Sequence, residues 1–245
     1  ETYLVPLAQA GGENAEKIMR ESPHAAVIRL RFTEDGQEET LFDATADRSA
    51  CQALLELIVH GRHLKATEGE VVATTTKTFQ RSRYLDWSSL EASPMKAEQT
   101  NTSIVFGKTF VLKLMRRLGE GLNPDLEIGR FLTEKGCDFV PPVFGYLEYR
   151  RNKAEPLTLA ILQGYVPNQG DAWSYTLDAL SHYFERALAD RKKMDDLPRP
   201  QEPLLAAAQS EIPAAIYETI GPYMEAARLL GRRTGELHVL LASDQ

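Results

Sequence analysis

Alternation of apolar and basic positions from Ile28 to Phe32 marks the first readable element of the chain. Residues 26–32 run Ala-Val-Ile-Arg-Leu-Arg-Phe, and Glu34-Asp35-Gly36 follows as a turn signal ahead of a return strand over 40–42, a pattern that predicts a β-hairpin. The period then changes. Cys51, Leu54, Leu55, Ile58 and Val59 fall at i, i+3, i+4, i+7 and i+8, with Asp47 placed to cap and Gly61 just past the last apolar position, which predicts one amphipathic helix. Val- and Thr-rich residues 70–79 predict a further strand, and residues 3–8 a short apolar stretch. A helix laid on an antiparallel sheet, an α+β arrangement, is the economical fold for this part.

A polar stretch over 81–95 ends in Ser93-Pro94, and a domain boundary is expected there. Beyond it, 102–106 and 109–114 are β-rich runs separated by Gly107-Lys108, a second hairpin. The two-residue period sets Phe110, Leu112 and Leu114 on one face and Val111, Lys113 and Met115 on the other, so a lysine stands mid-strand among apolar residues. After Gly119-Glu120-Gly121, the run Asn123-Pro-Asp-Leu-Glu127 has an N-cap, a first-position proline and first-turn acids, predicting a helix to about Lys135 that Gly136 ends. Pro141-Pro142 leads to strands expected over 143–149 and 157–166, with a turn at 151–153. Asp171 is expected to cap a helix reaching residue 190, followed by a charged linker over 191–203. Residues 204–242 read as helical, broken at Pro213 and Gly221-Pro222.

Composition narrows the function. With 245 residues, 43% hydrophobic and 26% charged, the chain can bury a core of one or two domains. No apolar run approaches the ~20 residues of a membrane-spanning helix, and a soluble, cytoplasmic protein is expected. The 28 Lys and Arg against 35 Asp and Glu leave a net charge of -7, which disfavours nucleic acid and membrane surfaces as partners. Cys51 and Cys137 belong to no Cys-x-x-Cys pair and read as free, buried thiols. His60 and His63 lack further ligands at useful spacing, so no metal ligand is assigned. A chain that opens at Glu1 without methionine reads as a piece of a longer protein.

The order strand, turn, strand with an inward Lys, helix with an early Glu, strand, strand, connector and helices is that of the smaller lobe of kinase-like phosphotransferases, in which a strand lysine contacts nucleotide phosphates and a helix carboxylate holds it. Lys113 and Glu127 are the expected pair. The same pattern is satisfied by a lysine on a solvent face and an acid that merely suits the helix dipole. Gln99, Thr100, Asn101, Thr102 and Ser103 occupy the phosphate-loop position without the glycines of a kinase loop. Their hydroxyls and N–H groups suit phosphate oxygens, and a polar turn has the same composition. Residues 159–166 are apolar and end in Gln163, Gly164, Tyr165 and Val166, fitting either an adenine-binding hinge or a buried central strand.

Taken together, Glu98-Gln-Thr-Asn-Thr-Ser-Ile-Val-Phe-Gly107, Val111-Leu-Lys-Leu114, Asn123-Pro-Asp-Leu-Glu127 and Tyr165-Val-Pro-Asn-Gln-Gly-Asp-Ala-Trp173 resemble the maltokinases. The resemblance implies a cystatin-like cap domain over 1–92, the smaller lobe of a protein-kinase-like, aminoglycoside phosphotransferase-like fold over 93–170, and the first helices of a larger lobe over 171–245. It further implies transfer of the ATP γ-phosphate to maltose, giving maltose 1-phosphate for α-glucan assembly, with Mg²⁺ held by the larger lobe and a trehalose synthase domain as partner in cis or in trans. Lys113 is then the phosphate-binding lysine, Glu127 its helix partner, 99–103 the phosphate-loop equivalent and 163–166 the adenine hinge. No His-Gly-Asp catalytic segment is present, so no catalytic base is assigned and the piece alone is expected to be inactive. Trp173, Tyr175 and His238 are read as helix packing residues. The alternatives are a phosphotransferase for another small acceptor, as in the aminoglycoside and choline enzymes, and a non-catalytic regulatory module beside a trehalose synthase.

Overall fold

The computed structural model describes residues 1–32, 37–81, 86–95, 101–189 and 203–244. Its α+β chain divides into two compact units, Glu1–Val166 and Pro167–Gln245.

The first unit opens with β1 (Thr2–Tyr3), β2 (Leu7–Gly11) and α1 (Gly12–Glu21). Helix α1 has no sequence signal at its start, because Gly11 occupies the N-cap and supplies no side-chain acceptor. The expected hairpin forms as β3 (Ala26–Arg31) and β4 (Glu38–Asp43), while its turn at 34–36 lies outside the described residues. With β2 on the other edge, these make a three-stranded antiparallel sheet ordered β2-β4-β3. Asp47 then caps α2 (Arg48–Val59), its carboxylate accepting from the Ala50 N–H at 2.8 Å, and Cys51, Leu55 and Ile58 are buried along one stripe. Burial pushes the Cys51 thiol up to about 11, aided by the charges of Asp47 and Asp43, while Cys137 is half-buried and both are free.

A larger sheet takes strands from both sides of residue 93. In order β5-β6-β11-β12-β9-β8-β7, it joins β5 (His63–Ala66), β6 (Gly69–Thr75) and β7 (Ala92–Pro94) to β8 (Asn101–Phe106), β9 (Phe110–Met115), β11 (Val143–Arg150) and β12 (Leu157–Gly164). All its pairings are antiparallel. Ser93-Pro94 thus lies within β7, and the first compact unit runs on to Val166. Strand β6 stops short of the expected residue 79 because the Thr76 hydroxyl donates to the Val143 carbonyl at 2.8 Å and receives the Phe79 N–H at 3.4 Å, opening the short helix α3 (Lys77–Arg81). Gly107, at φ +57°, makes the β8–β9 turn, a conformation that costs a residue without Cβ little.

Helices close both faces of this sheet. On one, Cys51, Leu55 and Ile58 of α2 pack with Ile104, Phe106, Phe110, Leu112, Leu114, Leu147, Ala160 and Leu162. On the other, α4 (Pro124–Glu134) brings Leu126 against Met115, Val143, Tyr146 and Ile161. Each approach is close enough to require a glycine: a Cβ on Gly145 of β11 would stand 2.4 Å from Ile58, and one on Gly129 of α4 would stand 2.8 Å from Val143. The two-residue strand β10 (Arg117–Leu118) pairs with β1, tying the chain start to the segment just after β9.

In the second unit, α5 (Ala172–Ala189) begins at Asp171, whose carboxylate accepts from the Ser174 N–H at 2.8 Å and is lowered in pKa by that bond and by the Ser174 hydroxyl. A short helix α6 (Leu204–Ala207) precedes α7 (Ala214–Leu241), which departs from helical geometry at Ile220 (φ -134°, ψ 17°) just before Pro222. No residue of α5 is buried, and Thr219 is the buried residue of α7. Of the aromatics read as packing residues, Trp173 is 71% exposed, whereas Tyr175 stacks on Tyr223 with ring centroids 6.0 Å apart. The expected linker at 191–203 lies outside the described residues except for Pro203. Among the described residues, no helix is long and apolar enough to cross a membrane.

Candidate functional site

The sheet alternation places Lys113 where the sequence predicts it. Direct cross-strand partners share a face, and Lys113 stands opposite Ser103 on β8 and Ile161 on β12. The same face carries Asn101 opposite Met115, and Gln163 opposite both Val111 and Val143. This is the face that α4 covers. The Lys113 side chain is 29% exposed and stands on this face between half-buried Val111 and buried Met115.

There the lysine meets an acid of α4, and the acid is Asp125. Lys113 Nζ lies 2.7 Å from Asp125 Oδ2, which corrects the expected pairing with Glu127. Helix geometry supplies the reason. Leu126, Gly129 and Arg130 form the sheet-facing stripe, with Leu126 buried, Gly129 against Val143 and the Arg130 guanidinium 5.3 Å from the Tyr146 ring. At 100° per residue, Asp125 and Glu127 leave Leu126 on opposite flanks of that stripe. Only one flank faces β9, and Glu127 is exposed.

The start of α4 is built to hold this arrangement. Asn123 Oδ1 accepts from the Asp125 N–H at 2.9 Å and the Leu126 N–H at 3.4 Å, and Pro124 fixes φ at the first helical position. The connection from β9 is pinned to the β11–β12 hairpin: the Gly121 N–H donates to the Pro156 carbonyl at 3.2 Å, and Arg151 pairs with Glu120 at 2.8 Å.

The expected phosphate-loop residues separate. Gln99 and Thr100 lie outside the described residues. Asn101 and Ser103 share the Lys113 face, and Ser103 is buried. Thr102 points to the opposite face, where its hydroxyl receives Arg116 Nε at 2.8 Å, so it does not join Lys113. Arg116 also reaches Asp43 Oδ2 at 2.8 Å and Thr45 Oγ1 at 3.1 Å. Sequence reasoning missed this arginine, although the period of β9 puts residue 116 on the face of Leu112 and Leu114.

The expected hinge is half assembled. The Gln163 amide nitrogen comes within 4.0 Å of a Cβ built on Gly129, so its side chain lies against α4. The Gly164 N–H donates to the Pro142 carbonyl and the Tyr165 N–H to the Thr109 carbonyl, both at 2.9 Å. These two N–H groups are therefore spent within the chain, and the donors expected for an adenine edge are not offered at 164 and 165. Val166 is 53% exposed.

Among the described residues, no group of three or more His, Cys, Asp and Glu side chains converges. A cavity of about 650 Å³ lies within the second unit between α5 and α7, lined by Tyr175, Leu180, His182, Ile216, Ile220 and Tyr223 among others.

No family model matches the chain. Among solved structures, the chain is similar to a glucosamine kinase, with a TM-score of 0.30 and 14% identity over 59% of this chain and 44% of that one, so it spans less than half the length of the kinase it matches.

Proposed function

We propose that this chain is the nucleotide-holding part of an ATP-dependent small-molecule phosphotransferase of the maltokinase kind. The observation that carries the reading is the Lys113–Asp125 pair: a partly exposed mid-strand lysine on the face that α4 covers, held by a carboxylate at the start of that helix. An ammonium so placed supplies positive charge to phosphate oxygens where charge builds in phosphoryl transfer. In this reading, the three-stranded sheet and α1 within residues 1–92 are a cap, β5 and β6 extend the sheet of the lobe over 93–170, and residues 171–245 begin a larger helical lobe. The γ-phosphoryl group passes from ATP to a maltose hydroxyl: the bond between the γ-phosphorus and the β–γ bridging oxygen breaks, ADP leaves with that oxygen, and a new P–O bond to the sugar forms. No residue of this chain is assigned as the base that takes the hydroxyl proton, and a trehalose synthase domain is the proposed partner.

The test is ADP release with maltose and MgATP by the full reading frame containing this chain, beside the same protein carrying Lys113→Met. Maltose-dependent turnover lost in the variant at an unchanged unfolding midpoint is the expected result; turnover that survives the substitution removes Lys113 from the phosphates.

The engaged N–H groups of Gly164 and Tyr165 favour a second reading, a non-catalytic module with a kinase-like sheet. Absence of turnover with any sugar in both proteins is its signature.

A further inference from the structure

We propose that the outer stripe of α5 is a self-association surface, on which a second copy of this chain lays its own α5 antiparallel. Helix α5 buries none of its residues, although Tyr175 stacks on Tyr223 of α7. Its side chains divide between two sides. Tyr175, Ala179, His182 and Arg186 line the cavity against α7. At 100° per residue, Trp173, Leu177, Leu180 and Phe184 fall within about 60° of one another on the other side, and of these four Leu180 alone also reaches the cavity. All four are exposed, Trp173 by 71% and Phe184 by 57%.

Spacing and charge together name the occupant. Steps of four, three and four residues are those of a helix that packs on another helix along a narrow seam. Laid antiparallel on itself, this seam closes in matched layers: Trp173 meets Phe184 of the second copy, Leu177 meets its Leu180, and the twofold axis repeats both contacts. Aromatic falls on aromatic and leucine on leucine. The antiparallel order also sets the positive end of each helix beside the negative end of the other.

The stripe is free of the charge that keeps such chains apart. The chain carries a net -7, but on α5 the charged Asp178, Glu185 and Arg186 lie more than about 100° from the centre of the stripe. Two of the hydroxyls that flank it are already engaged: Ser174 donates to Asp171 at 3.1 Å and Thr176 to the Ala172 carbonyl at 2.7 Å. Covering them orphans no donor. The exposed Leu229 and Leu230 of α7 differ in this respect, since Arg228, Arg232 and Arg233 stand within one helical turn of them, and a second copy laid there would meet like charge. From residue 173 to 184 the α5 seam is about 17 Å long, which is short for a standard interface. The dimer is therefore a weak one, forming at roughly micromolar concentration.

The experiment is sedimentation velocity on the full reading frame containing this chain, across roughly 1–100 µM. The expected result is a monomer–dimer equilibrium that Leu177→Lys or Leu180→Glu, each made alone, weakens at least about tenfold, because each sets an unpaired charge on a facing leucine. Both positions are exposed in the single copy, and the unfolding midpoints are expected to stay at the parent value. Mixed in equal amounts, the two variants are expected to recover association to within about threefold of the parent. Only the antiparallel register brings the introduced ammonium of one to the introduced carboxylate of the other and leaves the second Leu177–Leu180 contact intact. That recovery also decides the case if either variant alone folds poorly.

A parent that stays monomeric across the range, as it would with the stripe covered by another part of the protein, overturns the proposal. So does association that both variants leave unchanged, or a mixture no stronger than its components.

Discussion

The two faces of the seven-stranded sheet are closed by helices that start in the same way and end up doing different work. Helix α2, capped by Asp47, inserts Cys51, Leu55 and Ile58 into an apolar core continuous with Phe106, Phe110 and Leu112. Helix α4, capped by Asn123, buries Leu126 and Leu132 but leaves Asp125 beside Lys113. The glycine that permits close approach sits on the sheet beneath α2, at Gly145, and on the helix itself in α4, at Gly129. A complete apolar seal gives stability and no chemistry, whereas an incomplete one keeps a charge in place with access to water.

That contrast can be broken at the sealed face first. Leu55→Ala removes a fully buried side chain and is expected to cost about 2–5 kcal/mol, measured by denaturant unfolding. Gly145→Ala drives a methyl group to within 2.4 Å of Ile58 and 2.8 Å of the Thr74 carbonyl; a loss of about 1–3 kcal/mol is expected, smaller if Ile58 is shortened in the same chain. Asp47→Ala removes the α2 cap and is expected to cost about 1 kcal/mol. Burial alone would raise the Asp47 pKa, but hydrogen bonds from Ser49 and Ala50 outweigh it and the net shift is downward. Its contribution is therefore complete above the ordinary carboxylate pKa and lost as pH falls through the lowered one. Parent and Asp47→Ala unfolding curves are expected to converge at acid pH; a gap that stays constant there would assign the loss to something other than the charged cap. At the open face the effect is smallest: Lys113→Met is expected to change stability by under about 1 kcal/mol. A larger loss in the same unfolding assay would mean that the pair supports the fold rather than a ligand.

What was legible in the sequence follows from how local each cause is. The Asn-Pro-Asp start of α4, the Asp47 cap, the Gly107 turn and the inward period of Lys113 are set by neighbours in the chain, and they stand where the pattern puts them. Helix α1 was hidden because its N-cap is Gly11, and β5 because all four of its residues are exposed and carry no alternation. The choice between Asp125 and Glu127 depends on which flank of α4 faces β9, a matter of packing between Leu126 and the sheet. Equally, nothing near Ser93-Pro94 announces that β6 pairs with a strand seventy residues further on. The position of Thr102 opposite the lysine face was implicit in the strand period, but the period's phase was set only by its partner β9.

The pairing of β6 with β11 also bears on how the chain acquires its structure. Residues 69–75 have their inner neighbour at 143–150, so during synthesis Leu55, Ile58 and the inner edge of β6 emerge well before the strand that covers them. Long-range closure of this kind slows folding and leaves apolar surface open to wrong partners. Until β11 is made, the inner edge of β6 has no partner strand to cover it.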